Sequence, residues 1–166
     1  MREWIPVSSS PKGRLALVAV REFGARSFDE VTVGELAAAA EVTTGALYHH
    51  FQSKLGLYTF VRADVERRLL DRMEGAAAAA GDDRLGPALA VGLDFAVEQR
   101  FVRLLGEPPA GEPADLLADL LTRLAAPVPA PIGRLLASAW RAALADVAEG
   151  GSQEAAREAL LALKVG

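Results

Sequence analysis

Apolar residues recur every three or four positions along most of this chain, and no valine, isoleucine or threonine run alternates with polar residues over a useful length. That pattern predicts an all-α protein. Local chemistry marks the helix boundaries. Ser10 before Pro11 offers an N-cap followed by a proline at the first helical position, where its missing N–H costs nothing. Leu15, Val18, Ala19 and Phe23 follow at helical spacing, and Gly24 offers a stop. TVGE at 32–35 reads as a capping box, in which the Thr32 oxygen accepts an N3 amide while Glu35 reaches back. Only Glu41 and Val42 separate that helix from Thr43, the next N-cap. Ser53 then opens a long helix from Lys54 to Met73 or to the alanine run at 76–80, with Leu57, Val61, Val65 and Leu69 four apart. Beyond it the spacing predicts a helix over 85–105, a turn-rich loop at 106–113 and a helix over 116–124 ended by PVPAP. An amphipathic helix from Ile132 to Val147 and a last one through Leu160 and Leu163 complete the chain.

The stretch VTTGALYHHFQSK, residues 42–54, gathers both histidines with a tyrosine, a phenylalanine and a lysine. Leu47 and Phe51 lie four apart and turn inward, which leaves Thr44, Gly45, Tyr48 and His49 on the outer face near the helix start. Two short helices joined by a tight turn, preceded by one helix and followed by a long one, make the plan of a helix-turn-helix DNA reader. The hydroxyls and imidazole of the outer face can hydrogen-bond base edges or phosphate oxygens without adding formal charge, and Gly45 permits close backbone approach. Ser53 and Lys54 set free helix-start amides beside a cation, a phosphate site. Arg2, Lys12 and Arg14 are candidates for backbone contacts from an arm. Adjacent helical residues diverge by about 100°, so His49 and His50 make no metal pair, and no third ligand is near.

Residues 14–58 resemble the N-terminal domain of the TetR family of bacterial transcriptional repressors. The resemblance is carried by the capped T-V-x-E-L-A-A-A-A helix and then by V-T-x-G-x-L-Y-x-H-F-x-S-K-x-x-L, in that order and spacing. It implies an all-helical homodimer with a three-helix helix-turn-helix head at 1–54, a connecting helix at 55–80 and a helical-bundle body for effector binding and dimerisation at 81–166. By position it implies that Thr43, Thr44, Tyr48 and His49 contact DNA and that Lys54 holds a phosphate. It also implies a repressor that binds a palindromic double-stranded operator and is released by a small-molecule effector, here of unknown identity. Glu41 departs from the family pattern, standing in the turn where glycine is usual. A glutamate fits there only if the backbone avoids positive φ.

Composition changes this picture in few places. A hydrophobic share of 51% against 24% charged residues is globular and supports a core. The formal charge of −4 argues by itself against a nucleic-acid binder. Residues 1–54 hold six basic and six acidic side chains, and the acidic excess lies beyond residue 80. The chain has no cysteine, which removes disulfides and thiolate metal sites and fits a cytoplasmic protein. No apolar run of membrane-spanning length appears, and the first residues lack the apolar segment of a secretory signal. Neither a cofactor nor a metal is expected. With both histidines in the DNA-reading stretch and no glycine-rich phosphate loop or paired carboxylates, an enzyme acting on a small molecule is the weaker alternative. A dimeric helical module that has lost DNA binding is another, kept open by Glu41 and the neutral head. The stripe Ile132, Leu135, Leu136, Ala139, Trp140, Ala143, Leu144 and Val147 is wider than one neighbouring helix needs. Leu136, Ala139, Trp140, Ala143 and Leu144 are therefore expected at a dimer interface, with Trp140 as its anchor.

Overall fold

A computed structural model describes residues 9–109 and 114–165, which form nine helices and no strand. The chain is all-α, as its periodicity predicts. It divides into two compact units, residues 1–65 (the head) and 66–166 (the body). The expected arm residue Arg2 and part of the 106–113 loop lie outside the described residues.

In the head, α1 (Pro11–Ala25), α2 (Val33–Ala39) and α3 (Thr44–Phe51) are followed by the start of α4 (Lys54–Ala79). The caps form as their sequences dictate. Ser10 accepts from the Gly13 amide at 3.0 Å. Thr32 and Glu35 close the capping box, the Thr32 hydroxyl donating to the Glu35 carboxylate at 2.7 Å while its oxygen takes the Glu35 amide at 3.2 Å. That hydroxyl and then the Thr32 amide hold the Glu35 carboxyl below the usual carboxylate range. Gly24 does not end α1; it is buried inside the helix, which runs one residue further. Leu15, Leu36, Leu47 and Leu57, one from each helix, are fully buried and make the centre of the head. Phe23, Phe28 and Tyr58 pack beside them, with the Tyr58 ring 5.1 Å from each of the other two.

The body continues α4 and adds α5 (Leu85–Glu98), α6 (Val102–Gly106), α7 (Leu116–Leu124), α8 (Ile132–Ala148) and α9 (Gln153–Leu161). The single helix expected over 85–105 is two. Its apolar spacing continues through the break, but at Arg100 the backbone turns to φ +60°. There the Phe101 amide reaches back to the Ala96 carbonyl and the Arg100 amide to Val97, which terminates α5. Between α7 and α8 the approach is so close that a Cβ on Gly133 would run into Thr122 and the Ala118 carbonyl. Asp115 caps α7 through the Ala118 amide and takes a two-pronged ion pair from Arg141 of α8, at 2.7 and 2.8 Å.

The α8 stripe serves two neighbours, which corrects part of the expected interface. Trp140 is fully buried inside one subunit, and its indole N–H donates to the Leu89 carbonyl of α5 at 3.2 Å. Leu136 and Leu144 are likewise buried. None of these three has surface left to offer a partner. Their apolar bulk fills the body's own core, so Trp140 is no interface anchor. Ala139 and Ala143 lie differently. They are half-buried and, with Asp146, form one wall of a groove of about 320 Å³ whose other wall is Ala155, Ala156, Ala159, Leu160 and Leu163 of the α9 segment.

Candidate nucleic-acid interface

Helix α3 presents the face that its spacing predicts. Leu47 and Phe51 are buried, while Thr44, Gly45, Tyr48 and His49 are exposed. Tyr48 keeps 51% of its surface, unusual for a tyrosine within reach of a core. Thr43 is the N-cap, its oxygen accepting from the Ala46 amide at 3.1 Å; the exposed hydroxyl retains a proton to donate outward. His49 stands at the end of this face, its ring 5.0 Å from that of half-buried His50. A Cβ placed on Gly45 would meet only Thr43 Oγ1, at an ordinary 3.6 Å. The head itself therefore imposes no glycine at this position. At the far end of α3, exposed Gln52 holds φ +66° and caps the helix through the Tyr48 carbonyl. Sequence reading places the break at Gln52 and Ser53 but not its left-handed sign, because no glycine marks the turn.

The turn that aims α3 is a Schellman motif. The Val42 amide bonds to the Ala37 carbonyl and the Glu41 amide to Ala38, with Glu41 at φ +55°. The expectation that a glutamate here requires negative φ is overturned. The motif demands a left-handed residue, and Glu41 takes that conformation at a cost of about 1–2 kcal/mol.

The basic side chains of the head are mostly engaged within it. Lys54, expected to hold a phosphate, donates its ammonium to the carbonyls of Phe28 and Val31 at 2.9 and 3.0 Å and sits 4.1 Å from the Phe28 ring centre. It is a clamp on the 28–31 turn, with at most one N–H left for a ligand. Ser53 beside it caps α4 through the Gly56 amide at 2.9 Å. Arg14, expected on an arm, bonds to the carbonyls of Ala40 and Ser9. Lys12 lies over the rings of Phe51 and Phe60, at 5.8 and 5.2 Å. Arg26 is paired with Glu22 and Glu35. Lys54→Ala is thus expected to lower the stability of the head by about 2 kcal/mol, read as a shift in the denaturation midpoint. An unchanged midpoint would free Lys54 for phosphate alone.

Among the described residues no cluster of histidine and carboxylate side chains could hold a metal ion, and no helix is long and apolar enough to cross a membrane.

Comparison with known proteins agrees with this geometry. Residues 17–59 match the sequence model of the family described as bacterial regulatory proteins, tetR family. No curated protein matches the chain. Among solved structures, a TetR-like transcriptional regulator from Rhodococcus sp. RHA1 superposes with a TM-score of 0.68 at 22% identity, over 95% of this chain and 94% of that one. A TetR-family transcriptional regulator from Pectobacterium atrosepticum gives 0.61 at 24% identity, over 89% of this chain and 86% of the other. At these identities the two structures establish a shared fold along nearly the whole chain, body included.

Proposed function

We propose, from the match of residues 17–59 to the model of the tetR family of bacterial regulatory proteins, that the protein is a cytoplasmic homodimeric repressor that binds a palindromic operator. Two symmetric heads place their α3 helices in successive major grooves, about 34 Å apart. A small-molecule effector taken up by the body releases the DNA. One observation carries the DNA-reading role: a helix anchored by Leu47 and Phe51 turns Thr44, Gly45, Tyr48 and His49 to solvent, at a spot where the fold gains nothing from exposing them. With Arg14, Arg26 and Lys54 largely occupied inside the head, the grip on phosphate rests on Tyr48, His49 and free amides, with Lys12, whose ammonium keeps its N–H donors over the Phe51 and Phe60 rings, as the cation left to add charge. Thr43 and Thr44 supply hydroxyls at the helix start, where base edges are met.

Gly45→Ala separates this role from folding. The added methyl has room, and alanine is the better helix former by about 1 kcal/mol, so the head should melt at the same temperature or higher. The same methyl stands between the α3 backbone and the DNA. Fluorescence anisotropy on a duplex selected from a random pool should show affinity falling about 10-fold or more, the scale of one lost specific contact. Tyr48→Phe should weaken binding by a similar factor on every duplex, as loss of a phosphate contact does. A Gly45→Ala protein that melts higher and binds the selected duplex unchanged would remove α3 from the interface.

A further inference from the structure

Two costs coincide at Glu41. Its backbone is left-handed, a conformation glycine adopts without strain and glutamate does not. Its exposed carboxylate has no hydrogen bond or ion pair among the described residues, whereas Glu22, Glu30 and Glu35 of the same head are all engaged. The residue stands two positions ahead of the Thr43 N-cap, in the turn leading into the exposed face of α3. In the DNA-binding role proposed above, a carboxylate in this turn would face the phosphates of a docked duplex as a like charge. The turn needs a left-handed residue, and glycine would supply it without either the strain or the charge. Backbone strain of this kind gathers at sites of function.

From this position, and resting on the DNA-binding role proposed above, we infer that Glu41 determines sequence specificity. Its carboxylate accepts a hydrogen bond from an exocyclic amino group, cytosine N4 or adenine N6, on a base edge in the major groove. Discrimination follows from the two costs. On a wrong sequence the carboxylate gives up water and faces phosphate repulsion with nothing to offset either. On the right one the amino group satisfies it. Affinity is lowered for all DNA and least for duplexes that present the amine, so specificity rises at the expense of affinity.

The full chain, Glu41→Gly and Glu41→Gln are compared on the duplex that the unaltered chain selects from a random pool, with every base pair of one half-site replaced in turn at constant salt. The unaltered chain is expected to show one position where loss of the amino group costs about 10-fold, within the range for a specific base contact. Whether cytosine or adenine is required there names the amine. In Glu41→Gly that penalty should shrink to about twofold while the other positions keep theirs, and affinity for unrelated duplex should rise about 10-fold or less, one charge being removed. Glu41→Gln, which keeps an acceptor oxygen without the charge, should retain part of the preference. Glycine relieves the left-handed strain, so the variant melts no lower than the parent and its binding can be read directly. A Glu41→Gly profile that follows the parent at every position, merely scaled, overturns the inference and leaves the DNA-reading head intact. Failure of the unaltered chain to select any duplex removes both.

Discussion

Trp140→Ala is expected to strip about 3–5 kcal/mol from the body, the usual range for emptying a large aromatic site in a core. The indole is fully buried, and its N–H is spent on the Leu89 carbonyl across 51 residues of sequence. The close α7–α8 crossing at Gly133 restricts how far α8 can settle into the vacated space. Because the side chain lies within one subunit, the gap in stability between variant and parent should not change with protein concentration. Chemical denaturation followed by circular dichroism, run at several concentrations, measures both quantities. A gap that closes on dilution would place the indole between subunits after all.

The contrast between Trp140 and Thr43 shows which parts of the molecule are legible in the sequence. Caps are local. Ser10, Thr32 with Glu35, Thr43 and Ser152 each satisfy an amide three residues on, so residue type and spacing suffice to place the helix starts. The inward and outward faces of α3 follow from a single helical period in the same way. The residues that misled are those whose role is set by a distant partner. Lys54 reads as a phosphate ligand until the carbonyls of Phe28 and Val31 arrive beneath it from 26 and 23 residues away. The α8 stripe reads as one surface, and its division into a core edge and a groove wall depends on where α5 and α9 pack. Backbone sign is the third limit. Glu41 and Arg100 occupy left-handed positions without being glycine, and the α-helical spacing of neighbouring apolar residues continues undisturbed through Arg100. The turn that aims α3 is placed by the caps on either side, but neither its left-handed sign nor the division of α5 from α6 has a local residue signature.

The groove between α8 and α9 gives the proposed dimer its sharpest test. In the single subunit, Ala159 is exposed and Ala139 and Ala143 are half-buried. Such small residues let a second pair of helices approach closely, and in the proposed dimer a two-fold axis would set the same walls against each other as a four-helix arrangement. Ala159→Asp changes nothing that the isolated subunit needs, because its new carboxylate stays in water. In the proposed dimer it would be buried without a counter-charge and near Asp146, at a cost of about 3–5 kcal/mol, and symmetry would inflict it twice. Ala143→Asp strikes the same surface less cleanly, since that position is already part of the subunit's packing. Light scattering should report a monomer for Ala159→Asp while its helical content and melting at high dilution match the parent. Operator binding should fall by about 100-fold or more, because the second head loses the effective concentration that tethering provides. Tyr48, Thr44 and Gly45 are untouched by this change, so the weakened binding should keep its preference at every base pair of the half-site. A variant that remains a dimer would move the two-fold contact away from α8 and α9.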